Sequence, residues 1–150
     1  MPTDRFRSVA RAAGRGLVAS MAMTGMRELT VGMGWLERTP PREIVQDQAP
    51  RLVLPMSDGH EHAVIELAHW SYGTAAGVLY GALPARVRRS RWAGPGYGMA
   101  TWLVYELGIA PALGVQVAKR RTVVSRAMLV ADHLLYGLVV ADQVAPDPVR

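Results

Sequence analysis

Seven ionisable side chains stand inside otherwise apolar stretches of this chain: Arg27, Glu28, Glu66, His69, Glu106, Asp132 and His133. Carboxylates and histidines withdrawn from water are the usual parts of proton and ion pathways. Glu66 and His69 are three residues apart, so a helix carries them on one face. With Glu28, Glu106 and His133 they also make a candidate set of ligands for Fe, Mn or Zn. Four-helix carboxylate proteins hold such metals with one Glu from each of two helices and Glu-x-x-His from the other two. The pattern is incomplete, because Val130 occupies the position of the second such Glu and Asp132 is one helical step off that face. A haem held between His69 and His133 has the right ligand type but no accompanying motif. A purely structural account is also open, in which Arg27 neutralises Glu106 or Asp132 and the histidines bond tyrosines or backbone carbonyls.

Several chemistries are excluded. The chain has no cysteine, hence no disulfide, thiolate metal site or C-x-x-C redox motif. It lacks Gly-x-Ser-x-Gly, a P-loop signature and His-Glu-x-x-His, so no enzyme class is indicated. His60-Glu61-His62 lacks the spacing of a zinc protease and is read as part of a solvated loop.

The elements that must position these residues are four apolar segments in one domain, residues 16–36, 63–83, 92–117 and 128–144, with a long polar loop over 37–62. Each is close to the length that crosses a hydrocarbon core. The expected fold is therefore all-α, with four transmembrane helices arranged as two tandem helical hairpins. A short helix is expected over 41–48 and an interfacial stretch over 51–55. Gly73, Gly77 and Gly81 recur every four residues, placing a seam without side chains on one helical face for close packing, within the chain or in a homo-oligomer. Pro111 predicts a kink in the third helix.

His69-x-x-Tyr72-Gly73 in the second segment matches His133-x-x-Tyr136-Gly137 in the fourth. Met21-Ala22 precedes Glu28 at the spacing at which Met99-Ala100 precedes Glu106. Two hairpins in tandem follow from these matches. The net charge is +5, and all basic residues except Lys119 are arginine, clustered between the apolar segments. Nine basic residues fall on the side of the N-terminus and seven on the other, which favours a cytoplasmic N-terminus. The lipid bilayer is the expected partner. Nucleic acid is disfavoured, since no basic face interleaved with aromatic or amide residues occurs. The charges inside three of the segments keep a soluble basic helical domain as the alternative.

A glycine-led first helix with a mid-span charged pair, the Pro40-Pro41-Arg42 turn and two later helices with His-x-x-Tyr-Gly carry a likeness to a known family. The chain resembles the YagU-like bacterial inner-membrane proteins over most of residues 14–137. That resemblance implies a multi-pass protein of the bacterial plasma membrane and assigns no catalytic residue.

Overall fold

The computed structural model describes residues 2–35, 57–112 and 122–144, and every regular element among them is helical. The first helix, α1, runs Pro2–Gly32. Proline suits a first turn because its missing N–H would have no helical partner there. The helix ends in a Schellman turn: Gly34 takes a left-handed φ of 73°, and its N–H and that of Trp35 close onto the carbonyls of Val31 and Thr30. Arg5, Arg7, Arg11 and Arg15 thus lie on the helix, which starts well before the expected boundary at residue 16. Arginine is a good helix former, and hydropathy does not register that.

Helix α2 spans Asp58–Ala82. The polar stretch assigned to the loop, including His60-Glu61-His62, forms its first turns, with Ser57 Oγ 2.7 Å from His60 Nδ1. Pro84 ends it and opens a single turn, α3 (Ala85–Arg88). Helix α4 (Ala93–Leu103) continues through a π-helical turn, Val104–Ile109, into α5 (Ala110–Ala112). Pro111 explains the wide turn: it has no N–H for the Leu107 carbonyl and its ring crowds that carbonyl, and the Ala110 N–H reaches back to Tyr105 O. The last helix, α6 (Val123–Val140), starts five residues earlier than expected because Thr122 caps it, its hydroxyl accepting from Ser125 N. It stops before 144 in a second Schellman turn with Asp142 at φ 62°. The expected helix at 41–48 and interfacial stretch at 51–55 lie outside the described residues.

Helix α1 packs along α2 and also on α6, and α4 packs along α6. Glycine sets both close crossings. A Cβ on Gly73 would stand 2.6 Å from Ser20 Cβ, and one on Gly81 would stand 2.7 Å from Val9 Cα; one on Gly77 would run into the Ala12 carbonyl. Between α4 and α6, a Cβ on Gly137 would meet the Gly94 carbonyl and lie 2.7 Å from Gly98 N. The main core cluster is accordingly built largely of small residues, Ala12, Ala19, Ala76 and Ala93 with Met23, Tyr80, Tyr136 and Val140.

Large apolar side chains point outward: Leu17, Val18, Leu29, Leu67, Leu79, Val104 and Leu107 are all exposed. Even so, α6 alone among the described helices is both long and apolar enough to cross a membrane, so the four expected spans reduce to one by that measure. The reasons are local. Arg27 and Glu28 break the apolar run of α1; Gly, His and Tyr dilute that of α2; and the π turn interrupts the third helix.

Candidate functional site: a buried charged cluster beside an inter-helix cavity

Arg27 on α1 is only 4% exposed, an expensive position for a guanidinium unless its donors and its charge are answered. Its Nε donates to Met23 O at 3.2 Å and its Nη2 to Thr24 Oγ1 at 3.2 Å. Its charge is answered from two other helices: Nη2 is 3.8 Å from Glu66 Oε2 on α2, and Nε is 3.9 Å from Asp132 Oδ2 on α6. Both separations exceed hydrogen-bonding length, so these are Coulombic pairs.

Thr24 links the group. Its hydroxyl accepts from Arg27 and from Trp70 Nε1 at 3.1 Å, and donates to Glu66 Oε2 in a short bond. A hydroxyl can do all three, since it has one proton and two lone pairs, and the Ser20 carbonyl, 3.2 Å away, is the more distant competitor for that proton. Glu66 is thereby held on α1, whereas Asp132, 2% exposed, has no hydrogen bond to either oxygen. Two carboxylates face one guanidinium, so the trio carries one uncompensated negative charge when all three are ionised.

Arg27 and Asp132 line a cavity of about 200 Å³ between α1, α2, the third helix and α6. His69, Tyr72, His133 and Tyr136 line it too, so both His-x-x-Tyr-Gly motifs meet there. His133 Nδ1 is 2.7 Å from Leu129 O and must be the donor, because a carbonyl only accepts. His69 Nε2 is buried without a hydrogen bond. Tyr136 donates to Gly73 O at 2.6 Å, joining α6 to α2 across the cavity.

Of the seven residues singled out in the sequence, five reach this region. Glu28 is exposed and Glu106 is on the π turn, and neither lines the cavity. The partners Thr24 and Trp70 were not foreseen. Their signal was faint: Thr24 is one turn before Arg27, and Trp70 one turn after Glu66.

The expected metal set does not assemble. Glu28 and Glu66 come together with His62, their ligand atoms within 4.8 Å of one another, while His69, Glu106 and His133 are not in that group. His62 and Glu66 are one turn apart on α2, whereas His69 is turned toward the cavity. Glu28 and His62 are exposed, and Glu66 is already committed to Thr24 and beside the Arg27 charge, which opposes a cation.

No protein-family model, curated protein or solved structure matches this chain.

Proposed function

We infer that this is a non-enzymatic, multi-pass protein of the bacterial plasma membrane that crosses the bilayer with α1, α2, the α4–α5 helix and α6, and takes up protons or small cations at Asp132. The observation that carries the reading is apolar surface turned outward around an interior that also holds charge. Leu29, Leu67, Leu79, Val104 and Leu107 are exposed, while Arg27, Glu66 and Asp132 are buried beside a core of small residues. In water such a surface costs roughly 25 cal/mol for each Å² of apolar area; against lipid it costs nothing. Helix pairs seated on glycine, with the buried arginine paired to carboxylates inside, suit a solvent that offers no hydrophobic drive between helices.

The tandem-hairpin reading has support of the same kind. Gly16 and Ser20 align with Gly94 and Gly98 in the register that aligns Glu28 with Glu106, and Gly73 aligns with Gly137. Gly73 crosses α1 at Gly16 and Ser20; Gly137 crosses α4 at Gly94 and Gly98. The aligned residues thus make the same crossing in each hairpin. The resemblance to the YagU-like family fits this reading.

Asp132 is the acceptor because its oxygens face the cavity without a hydrogen bond, whereas Glu66 is held by Thr24. In proteoliposomes with an imposed pH gradient, Asp132→Asn is expected to abolish the proton flux of the wild-type protein, and Glu28→Gln to leave it. Equal flux in Asp132→Asn and wild type refutes the assignment.

A further inference from the structure

The antiparallel pairing of α1 and α2 brings together two arginine clusters that are far apart in sequence. Arg5, Arg7, Arg11 and Arg15 occupy the start of α1, and Arg86, Arg88, Arg89 and Arg91 follow the end of α2. Between them lie two clefts. One, of about 360 Å³, is lined by Arg7, Arg11, Arg15 and Arg88 over a floor of Tyr80 and Ala12. The other, of about 480 Å³, is lined by Arg5 and Arg88 over Gly81, Ala82 and Leu83. Arg88 stands in both. No acidic side chain lines either cleft among the described residues.

Arg88 is fixed at its base, with Nε donating to Leu83 O at 3.1 Å, so its two terminal nitrogens are the part left to meet a ligand. Arg15 is steadied by Asp142 at 2.6 Å. Guanidinium groups arriving from two helices around one cleft match the several oxygens of a phosphate, each of which can accept a charge-assisted bond. The depth is also informative. Apolar α2 ends at Leu83-Pro84, so the arginines stand where a helix leaves the hydrocarbon, while the cleft floors are aromatic and aliphatic. Phe6 and Trp92 are exposed at the same end, with the Arg91 guanidinium 5.4 Å from the centre of the Trp92 ring, as in an interfacial aromatic belt.

We propose that the paired clefts around Arg88 bind the phosphate headgroup of an anionic phospholipid, the arginines holding the phosphodiester and the Tyr80 and Gly81 floors receiving the glycerol end of the acyl chains. A free phosphate can meet the arginines but leaves the apolar floors uncovered and is held too weakly to register; basic recesses beside membrane helices commonly select anionic lipid. The assignment rests on the membrane reading above and is separate from the Asp132 cavity.

The test uses the full chain in a neutral maltoside detergent, titrated with phosphatidylglycerol, phosphatidylcholine or inorganic phosphate, with binding read by native mass spectrometry and thermal melting. Phosphatidylglycerol is expected to bind and raise the melting temperature, while phosphatidylcholine and inorganic phosphate do neither. Arg11→Gln/Arg88→Gln is expected to weaken phosphatidylglycerol on the order of 100-fold, the loss of two charge-assisted hydrogen bonds to the phosphate. Arg86→Gln/Arg89→Gln removes the same charge from the same end but outside both clefts, and should stay near wild type. Equal losses in the two double variants reduce the effect to diffuse surface charge and overturn the site. Equal stabilisation by inorganic phosphate overturns the lipid assignment, as does equal binding of phosphatidylcholine; these wild-type comparisons decide even where a variant fails to fold. Should the protein stay in carbonate-washed membranes yet show no preference for phosphatidylglycerol, the clefts fail and the membrane reading stands. Release by that wash refutes the membrane reading instead.

Discussion

Replacing Gly77 with alanine adds a single methyl at the tightest part of the α1–α2 crossing. That methyl would strike the Ala12 carbonyl oxygen and stand 3.1 Å from Gly16 Cα, and all of these neighbours are backbone. Backbone cannot swing aside as a side-chain tip does, so the helices must separate. Overpacking of this kind costs about 1–3 kcal/mol, of which alanine's helix propensity returns about 0.8–1 kcal/mol, so at roughly 2–4 °C per kcal/mol for a chain of this size the melting temperature falls by up to about 9 °C. The control is Gly25→Ala on α1, where the new methyl meets nothing within 4 Å. There only helix propensity acts, favouring alanine by about 0.8–1 kcal/mol and raising the melting temperature by about 2–4 °C. Gly77→Leu is expected to be worse still, and Leu at the exposed neighbouring Val78 mild. Helical circular dichroism followed through a thermal melt in detergent measures all four. A Gly77→Ala protein that melts at or above the Gly25→Ala protein refutes the reasoning, because the opposite signs follow from the packing alone.

The buried cluster makes a second set of expectations. Arg27→Leu leaves Glu66 and Asp132 facing each other without a cation and should cost about 3–5 kcal/mol, while Arg27→Leu/Glu66→Gln/Asp132→Asn should recover most of it; equal melting of the single and triple variants would show that charge is not the cause. Tyr136→Phe removes the bond to Gly73 O and should cost about 0.5–1.5 kcal/mol in the same melt, and an unchanged melting temperature contradicts that bond. If elemental analysis finds a bound metal after purification, His62→Ala should remove it and His133→Ala should not; the reverse pattern contradicts the observed grouping.

The residues that matter inside were legible because they violate their surroundings. A charge within an apolar run must be answered, so Arg27, Glu66 and Asp132 stood out, as did a glycine at every fourth position of α2. Asp132 was one of the two partners the sequence offered for Arg27, but Glu66 was not. Arg27 meets Glu66 as well as Asp132 because α1 lies on both α2 and α6, a matter of tertiary packing. Helix starts were misjudged at Pro2, Asp58 and Val123 for a common reason. Hydropathy reports the preference of side chains for lipid or water, whereas a helix runs on through Arg, His and Glu wherever backbone bonds and caps such as Thr122 permit. His62 was consequently placed in a loop, and its closeness to Glu28 and Glu66 went unseen.

The central claim, that these helices cross a bilayer with their charges inward, is tested most directly by sidedness. The native chain has no cysteine, so single cysteines at Ser57 and Ser90 report alone. Ser57 precedes α2 and Ser90 follows α3 at its other end, separated by a 25-residue helix of about 37 Å, long enough to cross the hydrocarbon core. In sealed vesicles of one orientation, a membrane-impermeant maleimide is expected to label one of these cysteines from outside and the other only after the vesicles are opened. Labelling of both from the same side would contradict the account.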